Sequence, residues 1–350
     1  MSEKEMTDWS WTVADEPHGA RRKVIMQTHP EVKAFMHPEW RSKYIAFSLV
    51  CFQVVLSVVV PTFDAWSYVF LVYFVGATLT QALFLAIHEL SHNLFFKATQ
   101  TNRLFAMVCN FPIVFPFSES FRFYHLAHHK QQGAEADTDI ASSFEARVFK
   151  GKLGKFVWFN FQILAYALRP VLLKSQPITP YLQLNALVQL IFNIAMYRTF
   201  GYGPFVYFIL CTLVAGGMGF HPTSGHFITE HYQLSTASNH TKGLKDSKDF
   251  KDFKDSKHFK RSNNETKSDI IHETFDNYGV LNMVMWNVGY HNAHHDFPNV
   301  PWSMLPKVTR IAQYKETEPV SPSWFFVPFL FVFDDRVSLY SRVKRKEISQ

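Results

Sequence analysis

Apolar positions are unevenly spread along the chain. They gather in four windows, 44–60, 66–87, 181–197 and 204–220, each at or near the about 20 helical residues that cross a hydrocarbon layer roughly 30 Å thick. The first two windows carry almost no charge. A further apolar stretch, Leu104–Phe117, is interrupted by Pro112 and Pro116 and is expected to be re-entrant or interfacial. The link at 61–65 has no Lys or Arg and the link at 198–203 has one, so both read as lumenal turns. The pattern predicts an all-α membrane protein with about four transmembrane helices in two hairpins. It divides into a cytosolic N-terminal region (1–43), a first hairpin (44–87), a cytosolic or interfacial region (88–180), a second hairpin (181–220) and a cytosolic remainder (221–350).

Composition refines this picture. A mean hydropathy of -0.06 averages apolar windows against charged stretches. The formal charge of +6 gathers at Arg21–Lys23, Arg41–Lys43 and Arg342–Lys346, beside membrane windows or in the tail. Positive-inside bias accounts for it, with no nucleic-acid partner. The first forty residues are polar, lacking the apolar core of a cleavable signal peptide, so the N-terminus is expected in the cytosol. The three cysteines, Cys51, Cys109 and Cys211, lie in apolar windows and imply no disulfide framework. Residues 241–269 repeat Lys-Asp-Phe and Lys-Asp-Ser units. That composition predicts a solvated loop without chemistry, and His240, His258 and His272 in or beside it read as surface residues.

Chemistry enters with the other histidines. Eight of the 17 fall in three clusters: His88-Glu-Leu-Ser-His92, His125-Leu-Ala-His128-His129 and His291-Asn-Ala-His294-His295. At this histidine frequency a chance HxxHH is expected only about 0.04 times in the chain, and it occurs twice. On a helix, positions i, i+3 and i+4 share a face, so each cluster aims its imidazoles at one point. Neutral imidazole suits first-row metals, and eight nitrogens exceed the needs of one ion. Two ions in one centre are implied. An even number of predicted crossings separates every pair of clusters, which places all three on the cytosolic face as a helical cap carrying a histidine-ligated di-metal centre.

Further histidines, His221, His226 and His231, follow the fourth window, and one is expected to complete the centre. Glu89, Asn93, Glu135, Asp137, Asp139, Glu230 and Asp296 beside the clusters are candidates to accept imidazole N–H groups. Two other functions compete. His88-Glu89-Leu-Ser-His92 is literally the HExxH of zinc proteases, but that reading leaves both HxxHH clusters unexplained. A non-enzymatic membrane scaffold or transporter would need far fewer membrane-edge histidines.

The histidine boxes and four-span pattern resemble the membrane fatty-acid desaturase and hydroxylase superfamily. The segments Ala86–Asn93, Gly225–Tyr232 and Asn287–Val300, with the Arg21-Arg22 and Asp334-Asp335 regions, are similar to sphingolipid Δ4-desaturases, also called dihydroceramide desaturases. The resemblance implies an endoplasmic-reticulum enzyme that uses O2 and electrons from cytochrome b5 and NADH-cytochrome b5 reductase. It would introduce a trans C4–C5 double bond into dihydroceramide to give ceramide, or hydroxylate C4 on the same scaffold. It implies two iron ions held by His88, His92, His125, His128, His129, His291, His294 and His295. The ninth ligand it favours is His231, whose setting resembles the extra-ligand segment of the superfamily, with His226 as the rival. Residues 241–269 are an insertion relative to the family pattern. Ser2 replaces the glycine that some members use for myristoylation.

Overall fold

The computed structural model describes residues 6–234 and 271–346. The run at 241–269, with His240 and His258, lies outside the described residues. His272 is described, half-buried rather than at the surface, and its carbonyl accepts from Gln233 Nε2 at 3.1 Å. The longer helices, and the short ones bearing histidines, are α1 (Pro17–Thr28), α2 (Ser42–Val59), α3 (Ala65–Ser91), α4 (Thr99–Asn110), α5 (Ser118–Gln131), α6 (Gly151–Asn160), α7 (Gln162–Leu173), α8 (Pro180–Phe200), α9 (Gly203–Ala215), α10 (His226–Thr229) and α11 (His291–Asp296).

The first hairpin forms as its apolar windows predict. Asp64 starts α3 by accepting the Trp66 and Ser67 backbone N–H groups at 3.0 and 3.1 Å, the usual way to satisfy a helix's first donors. Residues Leu71–Gly76 widen into a π-helical turn. Gln53 of α2 donates to the Gly76 carbonyl and the Thr80 hydroxyl at 2.9 and 2.7 Å and accepts from Tyr207, so its amide is satisfied inside this apolar layer. Gly76 is required there, because a Cβ would sit 2.4 Å from Cys211 Sγ on α9.

The Leu104–Phe117 stretch bends as expected. Helix Thr99–Ile113 and helix Ser118–Gln131 meet at 114°. The two prolines forbid a continuous helix, and Asn110 absorbs the break: its Oδ1 accepts the Phe117 and Ser118 N–H groups, each at 2.8 Å, and its Nδ2 donates to the Phe115 carbonyl. From α8, Gln189 reaches the Phe111 carbonyl and Asn193 the Val114 carbonyl. The polar residues that dilute the third apolar window are thus the partners of a broken backbone.

Two expectations are corrected. The fourth window does not run to 220, because α9 ends at Ala215 after 13 residues, about 20 Å at 1.5 Å per residue. Gly216 faces Ile163 so closely that a Cβ would lie 2.3 Å from it, and Gly217 turns the chain at φ 132°. Two helices, Ser42–Thr62 and Ala65–Ser91, are long and apolar enough to cross a membrane, or up to four if each bent pair counts as one span. The protein is therefore helical with two to four candidate spans. The second correction concerns the all-α expectation. Ser10–Thr12 (β1) and Val343–Arg345 (β2) form a two-stranded parallel sheet with Ser10 opposite Val343. Strands of three residues carry no readable alternation.

The N-terminal region packs onto the rest of the fold. Ile25 and Val32 pack with Ala293, Phe297, Val300 and Leu305 in one apolar cluster, which lays α1 against α11.

Candidate metal centre

Three helices converge at one end of the bundle. The last turn of α3 delivers His88 and His92, α5 delivers His125, His128 and His129, and α11 delivers His291, His294 and His295. His231 arrives just after α10.

The donor nitrogens fall into two groups. One ligand atom from each of His88, His92, His125, His129 and His294 lies within 4.8 Å of the others, and the same holds for His128, His231 and His295. His291 joins the second group, its Nε2 3.0 Å from that of His231 and 3.1 Å from that of His295. The two groups abut, with the His129 and His295 rings stacked at 4.1 Å.

These contacts do not work as hydrogen bonds. His125 Nε2 lies 2.9 Å from His92 Nε2 and 3.1 Å from His129 Nε2, yet an imidazole nitrogen has one in-plane site, which either donates or accepts. His129 and His231 are caught between two neighbours in the same way. His88 Nε2 is buried with no hydrogen-bond partner among the described residues. Lone pairs converging on a shared point resolve the conflict, since two nitrogens each about 2.1 Å from one ion and at right angles lie roughly 3 Å apart. The donor set fits two first-row metal ions.

Burial prepares these histidines for a metal. Desolvation first, then neighbouring imidazoles, push His231, His291, His294 and His295 well below the ordinary histidine value, which keeps them neutral as metal binding requires. Acceptors hold some rings in orientation. His128 Nδ1 donates to Asp137 at 3.0 Å and His231 Nδ1 to the Glu273 carbonyl at 3.0 Å. Glu273 is in turn held by Arg345 of β2 at 2.5 Å.

The remaining sequence candidates separate. His226 stands outside both groups: its Nε2 meets Gln81 at 2.6 Å and its Nδ1 donates to Glu230 at 2.9 Å. His221 is further away in role, bonded to Thr223 and packed on Tyr73. Asp296 pairs with Arg21 and His18 rather than with a box histidine. Asp139 pairs with Arg342, and Glu135 is exposed. Asn93 adopts φ 63° directly after His92, and its Oδ1 is buried with no partner. Glu89 accepts the Trp302 backbone N–H at 3.0 Å, which occupies the carboxylate that a zinc protease would use as base.

Sequence reasoning missed His18 and Arg21. Both are buried against α11, and nothing local in an N-terminal polar stretch announces a partner more than 270 residues away.

A fatty acid desaturase family model matches residues 64–326, and a sphingolipid Δ4-desaturase model matches residues 5–41. The chain is 40% identical over 346 residues to the sphingolipid delta(4)-desaturase of Candida albicans, covering 97% of this chain and 89% of the relative. This chain belongs to the sphingolipid Δ4-desaturase family. The sphingolipid delta(4)-desaturases DES1 of Drosophila melanogaster (38% identical, covering 97% of this chain and 96% of the relative) and Mus musculus (39%, 97% and 95%) match across nearly their whole length. As a member of the sphingolipid Δ4-desaturases the protein is an oxidoreductase, membrane-associated and acting on a lipid. All nine converging histidines lie inside the span of the general desaturase model, whereas His18 and Arg21 lie inside the sphingolipid-specific one.

Proposed function

We propose that this protein introduces the trans C4–C5 double bond of ceramide into dihydroceramide, using two iron ions bound by His88, His92, His125, His128, His129, His231, His291, His294 and His295. The observation that carries the reading is the convergence of these nine imidazoles into two adjoining groups, in a chain of this family. The ions supply, when bound, the dioxygen chemistry that withdraws hydrogen from an unactivated methylene. The balance is dihydroceramide, O2, two electrons and two protons giving ceramide and two waters. The two electrons come from outside the substrate, and cytochrome b5 with its NADH-dependent reductase is the donor we assign.

The chain's own part is positional. Asp137 and the Glu273 carbonyl fix the tautomer and direction of His128 and His231, and burial shields seven of the nine imidazoles from bulk water. Product choice follows from where the substrate carbons rest: loss of a second hydrogen gives alkene, and oxygen transfer to carbon gives the C4 alcohol.

In the endoplasmic-reticulum membrane, we place the histidine end at the cytosolic face, with α2 and α3 crossing as the first hairpin and α8 with the shorter α9 embedded as the second. Large apolar residues left exposed on α2, α8 and α9, including Phe52, Val55, Leu187, Ile191, Ile194 and Ile209, suit contact with lipid. The test is expression in a desaturase-deficient yeast or animal cell, with mass spectrometry of the long-chain bases. Sphingosine-type bases support the reading, 4-hydroxylated bases assign the hydroxylase instead, and no new base overturns both.

A further inference from the structure

The helix that ends in His294 and His295 is held from behind. Asp296, its last residue, is buried and receives Arg21 Nε at 2.6 Å, Arg21 Nη2 at 2.9 Å, His18 Nδ1 at 2.7 Å and the Tyr314 hydroxyl. Arg21 Nη2 also donates to Asn292 Oδ1 at 2.9 Å, and its Nη1 pairs with Glu318. Asn292 and Asp296 are four residues apart, so they share one face of α11, turned from the face that presents His291, His294 and His295. His18 Nε2 is fixed by the Thr274 hydroxyl at 3.0 Å, and its ring lies 4.8 Å from that of His295.

We propose that Arg21 and His18 are positioning residues of the metal centre. Helix α1 grips α11 through Asn292 and Asp296 and so sets the angle at which the third histidine box meets the ions. Six residues make α11 too short to be stable by itself, and it carries three of the nine ligands, so its orientation must be imposed from outside. A fork-shaped guanidinium spanning two acceptors one turn apart fixes rotation about the helix axis, which apolar packing does not. Net stability is a poor explanation for a buried ion pair, whose desolvation offsets most of its attraction. Both residues also fall within residues 5–41, the segment described by the sphingolipid-specific model and outside the general desaturase model. The branch-specific part of the chain thus acts on the shared centre. This inference rests on the ligand assignment above.

The test uses the full-length protein in lipid nanodiscs, stripped of metal and titrated with Fe2+ under anaerobic conditions, and separately with Co2+, against a competing chelator. Wild type should bind two ions, and failure to do so sinks the ligand assignment itself. Arg21→Gln should weaken binding by about 10–100-fold, the range found when groups that orient metal ligands are removed, and should alter the Co2+ ligand-field spectrum. Arg21→Lys, which keeps the charge but loses the fork, should fall between. His18→Phe keeps a ring beside His295 and loses both hydrogen bonds, and it serves if Arg21→Gln fails to fold. Lys23→Gln, at an exposed position of the same helix, is the control and should match wild type. Variants that melt earlier yet bind both ions with wild-type affinity and spectrum overturn the proposal and leave α1 a purely structural brace.

Discussion

Single side chains divide into those that meet the shared points and those that hold others in place. His129→Ala and His295→Ala should each abolish product while leaving membrane insertion intact, because each removes a donor from a buried group that water cannot replace. Full activity in both would refute the two-ion centre. His231 and His226 give a sharper contrast. With His231 Nε2 between His128 and His291, His231→Ala should lower iron content and eliminate product. His226→Ala should retain iron with turnover reduced about 10–100-fold, since its contacts are Gln81 and Glu230; iron content by elemental analysis and product assay check both.

A pH effect belongs to this scale as well. Burial pushes the Asp276 carboxyl up to about 7, against the lowering effect of the Asn292 N–H and the Tyr278 hydroxyl that it accepts. A carboxyl raised in the folded state stabilises the fold fully below its unfolded value near 4, and that contribution is lost as pH rises through about 7. Asp276→Asn mimics the protonated form. Between pH 4 and 7 the wild type should therefore lose stability relative to this variant, by roughly 1.4 kcal/mol per pH unit, as read from melting midpoints across that range; parallel curves would contradict the assignment.

Among the elements, the bend between α4 and α5 concentrates polar side chains on broken backbone. Asn110→Ala strands the Phe117 and Ser118 N–H groups together, at about 1–3 kcal/mol for each buried group left unpaired, so the melting temperature and folded yield should both fall. The flanks of residues 235–270 make another prediction. The Phe275 N–H donates to the Glu230 carbonyl at 3.0 Å, and Gln233 bonds to the His272 carbonyl, so the chain leaves and re-enters at adjacent points. Deleting 241–269 and joining the ends with a short Gly/Ser linker should leave iron binding and measurable desaturation. Complete loss of activity with normal iron content would show that the run takes part in turnover.

The elements also show how far the sequence could be read. The histidine helices and the first hairpin were legible because their signals are local: a repeat at i, i+3 and i+4, and long uncharged windows. The break at Pro112 and Pro116 was legible for the same reason. The early end of α9 was not, since it depends on Gly216 meeting Ile163 from another helix. Nor was the docking of α1, where Arg21 finds its acceptor 275 residues later.

Across the whole molecule, nine imidazoles converge on one region, and without ions their ring nitrogens crowd one another. Chelation of the purified protein should therefore lower its melting temperature, and the fall should reverse with added Fe2+ in proportion to RT ln(1 + [metal]/Kd). A melting temperature indifferent to chelator would mean that the cage is held by packing alone.

The small parallel sheet ties this centre to time. His231 is held by the Glu273 carbonyl, Glu273 by Arg345, and Arg345 belongs to the strand that pairs with Ser10–Thr12. During synthesis the first box emerges long before the residues that steady His231, and β1 must wait more than 300 residues for its partner. The cage is thus complete only once the chain has been made past Arg345, and full metal affinity is expected only after that strand is in place. A nascent chain halted before that strand would hold all nine histidines and still lack the clasp that sets one of them.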